Sequence, residues 1–276
     1  MPDNARKRVP TALITGASSG IGEALADCFA AAGHDLVLVA RRGAKLRALA
    51  ADLARRHGIV ATVKVADLAQ VGAAARLAAA LGRRRCVVDV LVNNAGVLAQ
   101  GRFVGMAPGR QQQIIDLNIS GLTAMLSAFL PDMVKRAARG SVGRVLNVAS
   151  IAAFQPVPTL ATYAASKAYV LSLTESLAEE LKDSGVTVTC LMPGATDTDF
   201  FERADMEDTK VAQGSKDDPA DVARVGFDAM MRGDGDVVSG WKNKLQSAIA
   251  NITPAGVLAE QHRKQAEPGS ASKDGK

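Results

Sequence analysis

Short apolar runs alternate along this chain with longer segments in which apolar residues recur at helical spacing. Apolar runs without a polar alternation are typical of strands that are buried on both faces of a parallel sheet. The runs predict strands at 12–14, 36–39, 60–65, 87–92, 144–148, 186–191 and near 237–238. The helical spacing predicts a first helix that ends at Ala32 and further helices over 44–56, 70–81, 109–138, 160–183 and 218–232.

This alternation predicts an α/β fold, a single doubly wound (Rossmann-type) domain with a central parallel sheet of about seven strands and helices on both faces. We expect the domain to occupy residues 11–240, after a flexible N-terminal arm at 1–10. Residues 199–215 show no clear period and are interpreted as a lid over the site. Residues 241–265 are predicted to form a helical C-terminal extension, and residues 266–276 a disordered tail.

The composition fits this fold and narrows the classes of partner. Of 276 residues, 48% are hydrophobic and only 4% aromatic, which suits Ala-rich helices packed closely on a sheet. The net charge of +5 includes two basic clusters, 6–8 and 83–85, which are candidates for nucleic-acid contact. No aromatic residues are interleaved with these clusters, so we expect a solvated surface and no nucleic-acid partner.

The cysteines and histidines argue against metal and hydrolytic chemistry. Cys28, Cys86 and Cys190 are far apart in apolar surroundings, which favours free thiols in a reducing compartment. The three histidines are scattered without metal-ligand spacing and no G-x-S-x-G occurs, so no metal site and no hydrolase is predicted. The first apolar run ends at Thr15, too early for a signal peptide or a membrane span, and we expect a cytoplasmic protein without membrane contact.

A glycine-rich turn joins the first predicted strand to the first helix. Gly16, Gly20 and Gly22 form a G-x-x-x-G-x-G pattern within a β-α-β unit of roughly 30 residues, the setting in which such a turn binds a dinucleotide. Gly16 would allow the tight turn, Gly20 the approach of the backbone to the pyrophosphate, and Gly22 the close packing of helix on strand. The spacing differs from the commoner G-x-G-x-x-G.

The end of the second strand carries residues that discriminate between nicotinamide cofactors. An acidic residue there would bind the adenosine ribose of NAD, but this chain has Arg41 and Arg42. Guanidinium groups bind a ribose 2′-phosphate through paired hydrogen bonds, so the sequence favours NADP, with Arg41 as the preferred contact. The alternative is that both arginines only begin a basic helix. Asp67, after the third strand, is a candidate acceptor for the adenine amino group.

Two further polar features interrupt the apolar pattern. The sequence NNAG at 93–96 follows the fourth strand, at the edge where open parallel sheets bind ligands, although Asn and Gly also favour plain turns. Asn118 lies on the apolar face of helix 109–138, so its amide is either functional or a structural bridge between helices. Gly121, three positions later, would allow a local kink.

The stretch from Arg144 to Tyr169 holds residues suited to proton transfer. Ser150 stands at the end of the fifth strand, and the helix after a Pro-containing loop carries Tyr163 and Lys167. Residues four positions apart lie on one helix face, so the phenol and the ammonium group lie side by side. We interpret these three residues as a catalytic centre.

In order and spacing these motifs resemble the short-chain dehydrogenase/reductase family, in its compact single-domain branch, over about residues 9–240. The matching motifs are TGASSGIG at 15–22, NNAG at 93–96, Asn118, Ser150, Tyr163-x-x-x-Lys167 and Pro193-Gly194. The resemblance implies an NADP(H)-dependent oxidoreductase that acts on a carbonyl/alcohol pair. One departure is Thr196, where the family usually has Val or Ile beside the nicotinamide.

The resemblance also implies a role for each motif residue. Tyr163 would be the general acid in carbonyl reduction and the base in alcohol oxidation, and its phenol would need the Lys167 ammonium and the oxidised nicotinamide to ionise near neutral pH. Lys167 would also hold the nicotinamide ribose, Ser150 would orient the substrate oxygen, and Asn118 would hold a water in a proton relay. The implied cofactor-binding residues are Gly16, Ser18, Ser19, Gly20, Ile21, Gly22, Arg41, Arg42, Asp67, Leu68, Asn94, Ala95, Gly96, Tyr163, Lys167, Pro193, Gly194, Thr196 and Thr198.

The substrate is less sharply defined by the sequence. The residues predicted to line its outer pocket are mostly apolar and favour a medium-sized hydrophobic ketone or aldehyde: Leu98, Phe154, Gln155, Met192, Phe200, Phe201 and Met206. The family resemblance suggests a homodimer or homotetramer built on helices 109–138 and 160–183. The alternative function is a non-catalytic dinucleotide-sensing module of the same fold, although a sensor would not need the complete Asn/Ser/Tyr/Lys set.

Overall fold

The computed structural model describes residues 8–198, 213–214, 216–240, 243, 256 and 258. The strands are β1 (Thr11–Thr15), β2 (Asp35–Ala40), β3 (Ala61–Val65), β4 (Val90–Asn93), β5 (Gly143–Val148), β6 (Val186–Met192) and β7 (Asp236–Val238). The α-helices of the described residues are α1 (Gly20–Ala31), α2 (Gly43–His57), α3 (Ala73–Gly82), α4 (Pro108–Ile114), α5 (Leu122–Ala137), α6 (Ala161–Glu180) and α7 (Pro219–Arg232). The predicted tail and most of the predicted arm, lid and C-terminal extension lie outside the described residues.

The seven strands form one parallel sheet in the order β3-β2-β1-β4-β5-β6-β7, which confirms the predicted Rossmann-type fold. The chain runs outward from β1 through β2 to β3 and then returns to β4, which pairs with β1 with Ala12 opposite Val90. The strand order therefore reverses between β1 and β4. In open α/β sheets the crevice at such a reversal, beyond the carboxyl ends of the strands, binds ligands.

Two hydrophobic layers cover the two faces of the sheet. Leu13 of β1 lies in the layer that contains Met125 of α5, and the next residue, Ile14, lies in the layer that contains Leu25 of α1. All four side chains are at most 1% exposed. Because successive residues of a strand point to opposite faces, an unbroken apolar run is what a strand buried on both sides requires.

The fourth strand is shorter than the sequence predicts. It begins at Val90 and not at 87, because the Asp89 side chain occupies the preceding position in the ladder. The backbone N–H of Thr11 donates to Oδ2 of Asp89 at 2.8 Å, and the Arg8 guanidinium donates to Oδ1 of Asp89 at 2.5 Å. The apolar residues 87–88 therefore precede the strand.

The predicted helix over 109–138 is divided into three parts. A π-helical segment, Ile115–Gly121, separates α4 from α5. Gly121 lies against a neighbouring loop so closely that a Cβ there would be 2.7 Å from the carbonyl oxygen of Leu68. The kink expected at Gly121 therefore takes the form of a local widening of the helix, a feature that is frequent at functional sites.

One stretch of the described residues, Pro108–Ala137, is long and apolar enough to cross a membrane by length and composition alone. A core helix passes the same test. Met125, Phe129 and Met133 on this stretch are buried in the layer beside the sheet. Packing on the sheet accounts for these three apolar side chains.

Candidate active site

The four predicted catalytic residues lie together beyond the carboxyl ends of β4 and β5. Ser150, which follows β5, is hydrogen-bonded to the Tyr163 side chain. The Nζ atom of Lys167 lies 5.7 Å from the centroid of the Tyr163 ring. Gly96 closes the group, because a Cβ there would be 3.4 Å from Oδ1 of Asn118 and 3.6 Å from Nζ of Lys167.

Backbone contacts fix the orientation of these side chains. The Lys167 ammonium donates to the carbonyl oxygen of Val148, the last residue of β5, at 2.9 Å. The Ser150 hydroxyl accepts from the N–H of Ala152 at 3.2 Å and thereby caps the short 3₁₀ turn that follows. Tyr163 and Lys167 are only 8% and 6% exposed. The two side chains are therefore pre-organised and largely shielded from bulk solvent.

Burial shifts the two titratable groups in opposite directions. Desolvation raises the pKa of Tyr163 to about 12, and the hydrogen bond from Ser150 offsets only part of this rise. Desolvation lowers the pKa of Lys167 to about 8. In the protein alone, burial therefore outweighs the acidifying effect expected from the ammonium group, and the phenol keeps its proton across the physiological range.

Asn118 is a bridge between the π-helical segment and its surroundings. Its Oδ1 accepts from the N–H of Val97 at 2.9 Å, and its Nδ2 donates to the carbonyl oxygen of Val97 at 3.0 Å and to Oγ of Ser166 at 3.1 Å. Both amide hydrogens are thus committed to protein acceptors. Of the two roles that the sequence left open for this side chain, the bridge is the one that its contacts fill.

The glycine-rich turn forms a cradle that side chains would fill. Gly16 and Gly20 have φ angles of +67° and +57°, a region that favours glycine. A Cβ on Gly22 would lie 2.4 Å from both the carbonyl oxygen of Gly16 and Nδ2 of Asn94. The turn leads directly into α1, whose first N–H groups suit a phosphate. This backbone therefore fits the pyrophosphate of a dinucleotide.

The two arginines after β2 differ in environment. Arg42 is half-buried, and its guanidinium donates to Oγ of Ser18 at 2.9 and 3.1 Å, to the carbonyl oxygen of Ser18 at 3.0 Å and to Oγ of Ser19 at 2.6 Å. Arg41 is exposed. The structure thus assigns Arg42 to the glycine-rich turn. One carboxylate oxygen of Asp67 accepts a hydrogen bond from the N–H of Ala69 at 3.2 Å.

The residues after β6 close the other side of the cradle. Thr198 packs on Gly20, because a Cβ built on Gly20 would be 2.7 Å from Cγ2 of Thr198. Thr196, the departure from the family pattern, is buried, and its hydroxyl donates to the carbonyl oxygen of Gly194 at 3.1 Å. The predicted cofactor residues of β1, β4 and β6 thus surround one crevice.

The predicted substrate residues do not form one pocket in the described part of the chain. Leu98 packs in a small apolar cluster that contains Tyr163. Phe154 and Gln155 instead line a groove of about 540 Å³ along the outer flank of α6, whose lining includes neither Ser150 nor Tyr163. Met192 has no exposed surface and belongs to the core layer, so its assignment to the pocket is corrected to packing. Residues 200, 201 and 206 lie outside the described residues.

Comparisons with known proteins agree with this geometry. Residues 10–209 match the model of the short chain dehydrogenase family. The chain belongs to this family. Oxidoreductase UcpA of Salmonella typhimurium is 38% identical over 216 residues, which cover 77% of this chain and 76% of the relative.

Two solved structures extend the comparison to the cofactor. A short-chain dehydrogenase from Sphingobium yanoikuyae in complex with NADPH has 33% identity and a TM-score of 0.75, and the match covers 88% of this chain and 95% of that one. The 3-ketoacyl-(acyl-carrier-protein) reductase from Brucella melitensis, complexed with NADH, has 31% identity and a TM-score of 0.72, with coverages of 84% and 97%. This short-chain dehydrogenase is thus an oxidoreductase by family, and both of these solved relatives hold a nicotinamide dinucleotide.

Several supporting residues of this short-chain dehydrogenase were missed by the sequence analysis. The hydroxyl of Thr15 accepts from the N–H groups of Asn94 and Ala95 at 2.9 and 3.0 Å and so fixes the NNAG turn. Ser166 accepts from Asn118 and donates to the carbonyl oxygen of Tyr163 at 2.7 Å. In the sequence, only the position of these residues within the Gly-rich and Tyr-Lys motifs could have indicated a supporting role.

A buried polar chain beneath the site was also missed. Asn93 donates to Oδ1 of Asn147 at 2.9 Å, and Asn147 donates to the hydroxyl of Thr174 at 3.0 Å. The chain ties β4 to β5 and β5 to α6, the helix that carries Tyr163. Oδ1 of Asn93 has no hydrogen-bond partner among the described residues, but the two hydrogen bonds between elements favour one arrangement of β4, β5 and α6.

Proposed function

We propose that this short-chain dehydrogenase is an NADP(H)-dependent oxidoreductase for a carbonyl/alcohol pair, with Tyr163 as general acid in reduction and general base in oxidation. The observation that carries the proposal is the convergence of Ser150, Tyr163, Lys167 and Asn118 beside a glycine-rich cradle. When bound, the nicotinamide supplies or accepts the hydride.

The chain's own residues supply position and a proton. Ser150, which hydrogen-bonds Tyr163, orients the carbonyl oxygen toward the phenol. The phenol gives its proton to that oxygen as the oxygen gains negative charge, and the nearby Lys167 ammonium stabilises the phenolate left behind. Lys167 would also hold the nicotinamide ribose.

Asn118 enters the proposed proton relay through its backbone. The side-chain amide already serves Val97 and Ser166. The π-helical segment changes the regular pairing of its carbonyl groups, and the carbonyl of Asn118 is therefore the proposed anchor for a water next to Lys167.

The preference for NADP rests on Arg41. This side chain is exposed after β2, where it would contact the adenosine ribose of a dinucleotide whose pyrophosphate was held by α1. Arg42 is engaged with Ser18 and Ser19 and shapes the turn. Asp67 follows β3, the strand next to β2, and is the proposed contact for adenine.

The proposed substrate is a medium-sized hydrophobic ketone or aldehyde. The apolar cluster of Leu98, Leu160 and Tyr163 supports an apolar environment around the reacting carbonyl. We also propose a cytoplasmic homodimer or homotetramer built on α5 and α6. An exposed row of small uncharged residues on α6, Ala161, Ala165, Ala168 and Ser172, supports this surface. Size-exclusion chromatography that gave a monomer would contradict it.

The test is turnover of NADPH with a panel of ketones and aldehydes of graded size and charge, compared with Tyr163→Phe. We expect hydrophobic carbonyls to be reduced, and the variant to bind NADPH but to lose activity by about 10²–10⁴-fold. Tight NADPH binding without turnover of any substrate would favour the dinucleotide-sensing alternative. Undiminished turnover by Tyr163→Phe would remove the phenol from the mechanism.

A further inference from the structure

The segment Gly194–Thr198, which follows β6, is held from outside by a second segment of the chain. The N–H of Asp217 donates to the carbonyl oxygen of Ala195 at 2.8 Å, and the N–H of Asp197 donates to that of Asp217 at 2.9 Å. Thr196 and Asp217 form a parallel bridge through these bonds. The backbone of Asp217 thus holds this segment in place through two hydrogen bonds.

The side chain of Asp217 is hydrogen-bonded in turn to Asn243. Nδ2 of Asn243 donates to Oδ2 of Asp217 at 2.8 Å and to the carbonyl oxygen of Ser239 at 2.7 Å. The backbone turns at Gly240, where φ is +78° and a Cβ would be 3.0 Å from Nδ2 of Asn243. Asn243 is therefore fixed by a charged acceptor and a backbone acceptor together.

The Asn243 amide also lies directly on the segment. A Cβ on Gly194 would be 2.4 Å from Nδ2 and 2.5 Å from Oδ1 of Asn243. Only a glycine permits this approach. The amide therefore contacts the start of the segment directly, and its hydrogen bond to Asp217 connects it to the residue that holds the segment from outside.

The inner side of the same segment faces the cofactor cradle. Thr198 packs on Gly20 at the start of α1, and Thr196, two residues earlier, is buried. Displacement of the segment would therefore open the cradle at the phosphate-binding turn. The residues of the segment that contact Asp217 and Asn243 are thus only a few positions away from Thr198, which contacts the cradle.

We infer that the Asp217–Asn243 pair is a latch, and that it holds Gly194–Thr198 against the glycine-rich turn and thereby controls how long the dinucleotide stays bound. Both are positioning residues, because they act on the cofactor through the segment. The inference rests on the proposed function, since it needs a dinucleotide in the cradle. It concerns retention of the cofactor and not proton transfer at Tyr163.

The test compares Asn243→Asp, Asp217→Asn and the double variant that exchanges the two groups. Asn243→Asp puts a second carboxylate against Asp217, and we expect the Kd and the dissociation rate of NADPH to rise by about 10- to 100-fold. Asp217→Asn keeps an acceptor for Asn243 and should change both values by less than about threefold. The double variant restores one donor and one acceptor between positions 217 and 243 but not the hydrogen bond to the carbonyl oxygen of Ser239, so it should recover part of the affinity.

Two further measurements separate a latch from a general loss of structure. Hydrogen exchange of the peptide containing 194–198 should become faster in Asn243→Asp, and the KM for NADPH should rise while kcat at saturating cofactor does not fall. Asp234→Asn, which removes a carboxylate paired with Arg232 at 2.7 Å at the end of α7, is the matched control and should leave the Kd unchanged.

The outcomes are distinct. Wild-type affinity in Asn243→Asp would overturn the latch and leave the proposed function intact. A weakened double variant with the same Kd as Asn243→Asp would also overturn it, because the pairing would then be irrelevant. A wild-type protein that bound neither NADPH nor NADH would overturn the proposed function and the latch together.

Discussion

Nζ of Lys167 lies 5.7 Å from the centroid of the Tyr163 ring, and it donates its hydrogen bond to the carbonyl oxygen of Val148. Both side chains are buried, and burial moves the pKa of Tyr163 up to about 12 and that of Lys167 down to about 8. In the protein alone the phenol is therefore protonated across the physiological range. Lys167 is the member of the pair that titrates near physiological pH.

The first prediction concerns the pH profile of carbonyl reduction. The Lys167 ammonium loses its charge as the pH rises through about 8, while Tyr163 keeps its proton. The rate at saturating NADPH should therefore fall above pH about 8, because the developing phenolate loses its cationic neighbour. Steady-state rates across the alkaline range check this.

Lys167→Arg is the control for the pH profile, since a guanidinium stays charged throughout this range. If the variant retains measurable activity, its profile should be flat through pH about 8. An identical fall in the variant would assign the titration to a different group.

The second prediction concerns stability. The pKa of Lys167 is about 8 in the folded protein, below its ordinary value of 10.5. Between these values the unfolded chain binds a proton that the folded protein does not, so the free energy of unfolding rises with pH in this window. Below it, Lys167 is charged in both states and the full cost of burying its charge lowers the stability. The contribution of Lys167 should grow by about 2 kcal/mol between about pH 7 and about pH 9.5.

Lys167→Met provides the comparison, because it removes the buried charge and keeps most of the side-chain volume. Urea unfolding at both pH values should show the free energy of unfolding of the wild type rising relative to that of the variant. A constant difference between the two proteins would mean that Lys167 does not change its protonation in this window.

The fold and the proximity of Tyr163 to Lys167 could be predicted from the sequence for a common reason. Strands buried on both faces leave unbroken apolar runs, as in β1, and a spacing of four on one helix places Tyr163 beside Lys167 irrespective of the rest of the molecule. These features are local. They follow from the periods of strand and helix.

Features that depend on contacts between distant segments were not predicted. The π-helical segment around Asn118 changes hydrogen bonding without disturbing the apolar period, and it reflects the approach of Gly121 to Leu68. The start of β4 depends on the contact of Asp89 with Thr11. Met192 looked available for substrate because apolar pocket residues and apolar core residues have the same composition.

The third prediction concerns the glycine-rich cradle. A methyl group at Gly22 would lie 2.4 Å from the carbonyl oxygen of Gly16, a backbone atom that cannot move without opening the turn. Gly22→Ala should therefore abolish NADPH binding and lower the free energy of unfolding by about 1–3 kcal/mol. Fluorescence titration and urea unfolding measure the two effects.

Gly109→Ala is the matched control for the cradle. Gly109 is exposed near the start of α4, and no heavy atom lies within 4 Å of a Cβ built there. This variant should keep its NADPH affinity and gain up to about 1 kcal/mol from the better helix propensity of alanine. Normal cofactor binding by Gly22→Ala would show that the close approach of helix and strand is dispensable.

The fourth prediction separates the two arginines after β2. Arg41 is exposed and is the proposed contact for the 2′-phosphate of NADP, whereas the Arg42 guanidinium is hydrogen-bonded to Ser18 and Ser19 in the turn. Arg41→Asp should lower the preference for NADPH over NADH by about 100-fold, since two charge-assisted hydrogen bonds are replaced by repulsion.

Arg42→Ala should behave differently, because it loosens the turn that holds the pyrophosphate common to both cofactors. We expect the KM values for NADPH and NADH to rise together, by about tenfold, with little change in their ratio. Thermal unfolding of both variants shows whether the fold is intact. If Arg42→Ala changed the cofactor ratio and Arg41→Asp did not, the phosphate would be bound by Arg42, and its contacts with Ser18 and Ser19 would have to break when the cofactor enters.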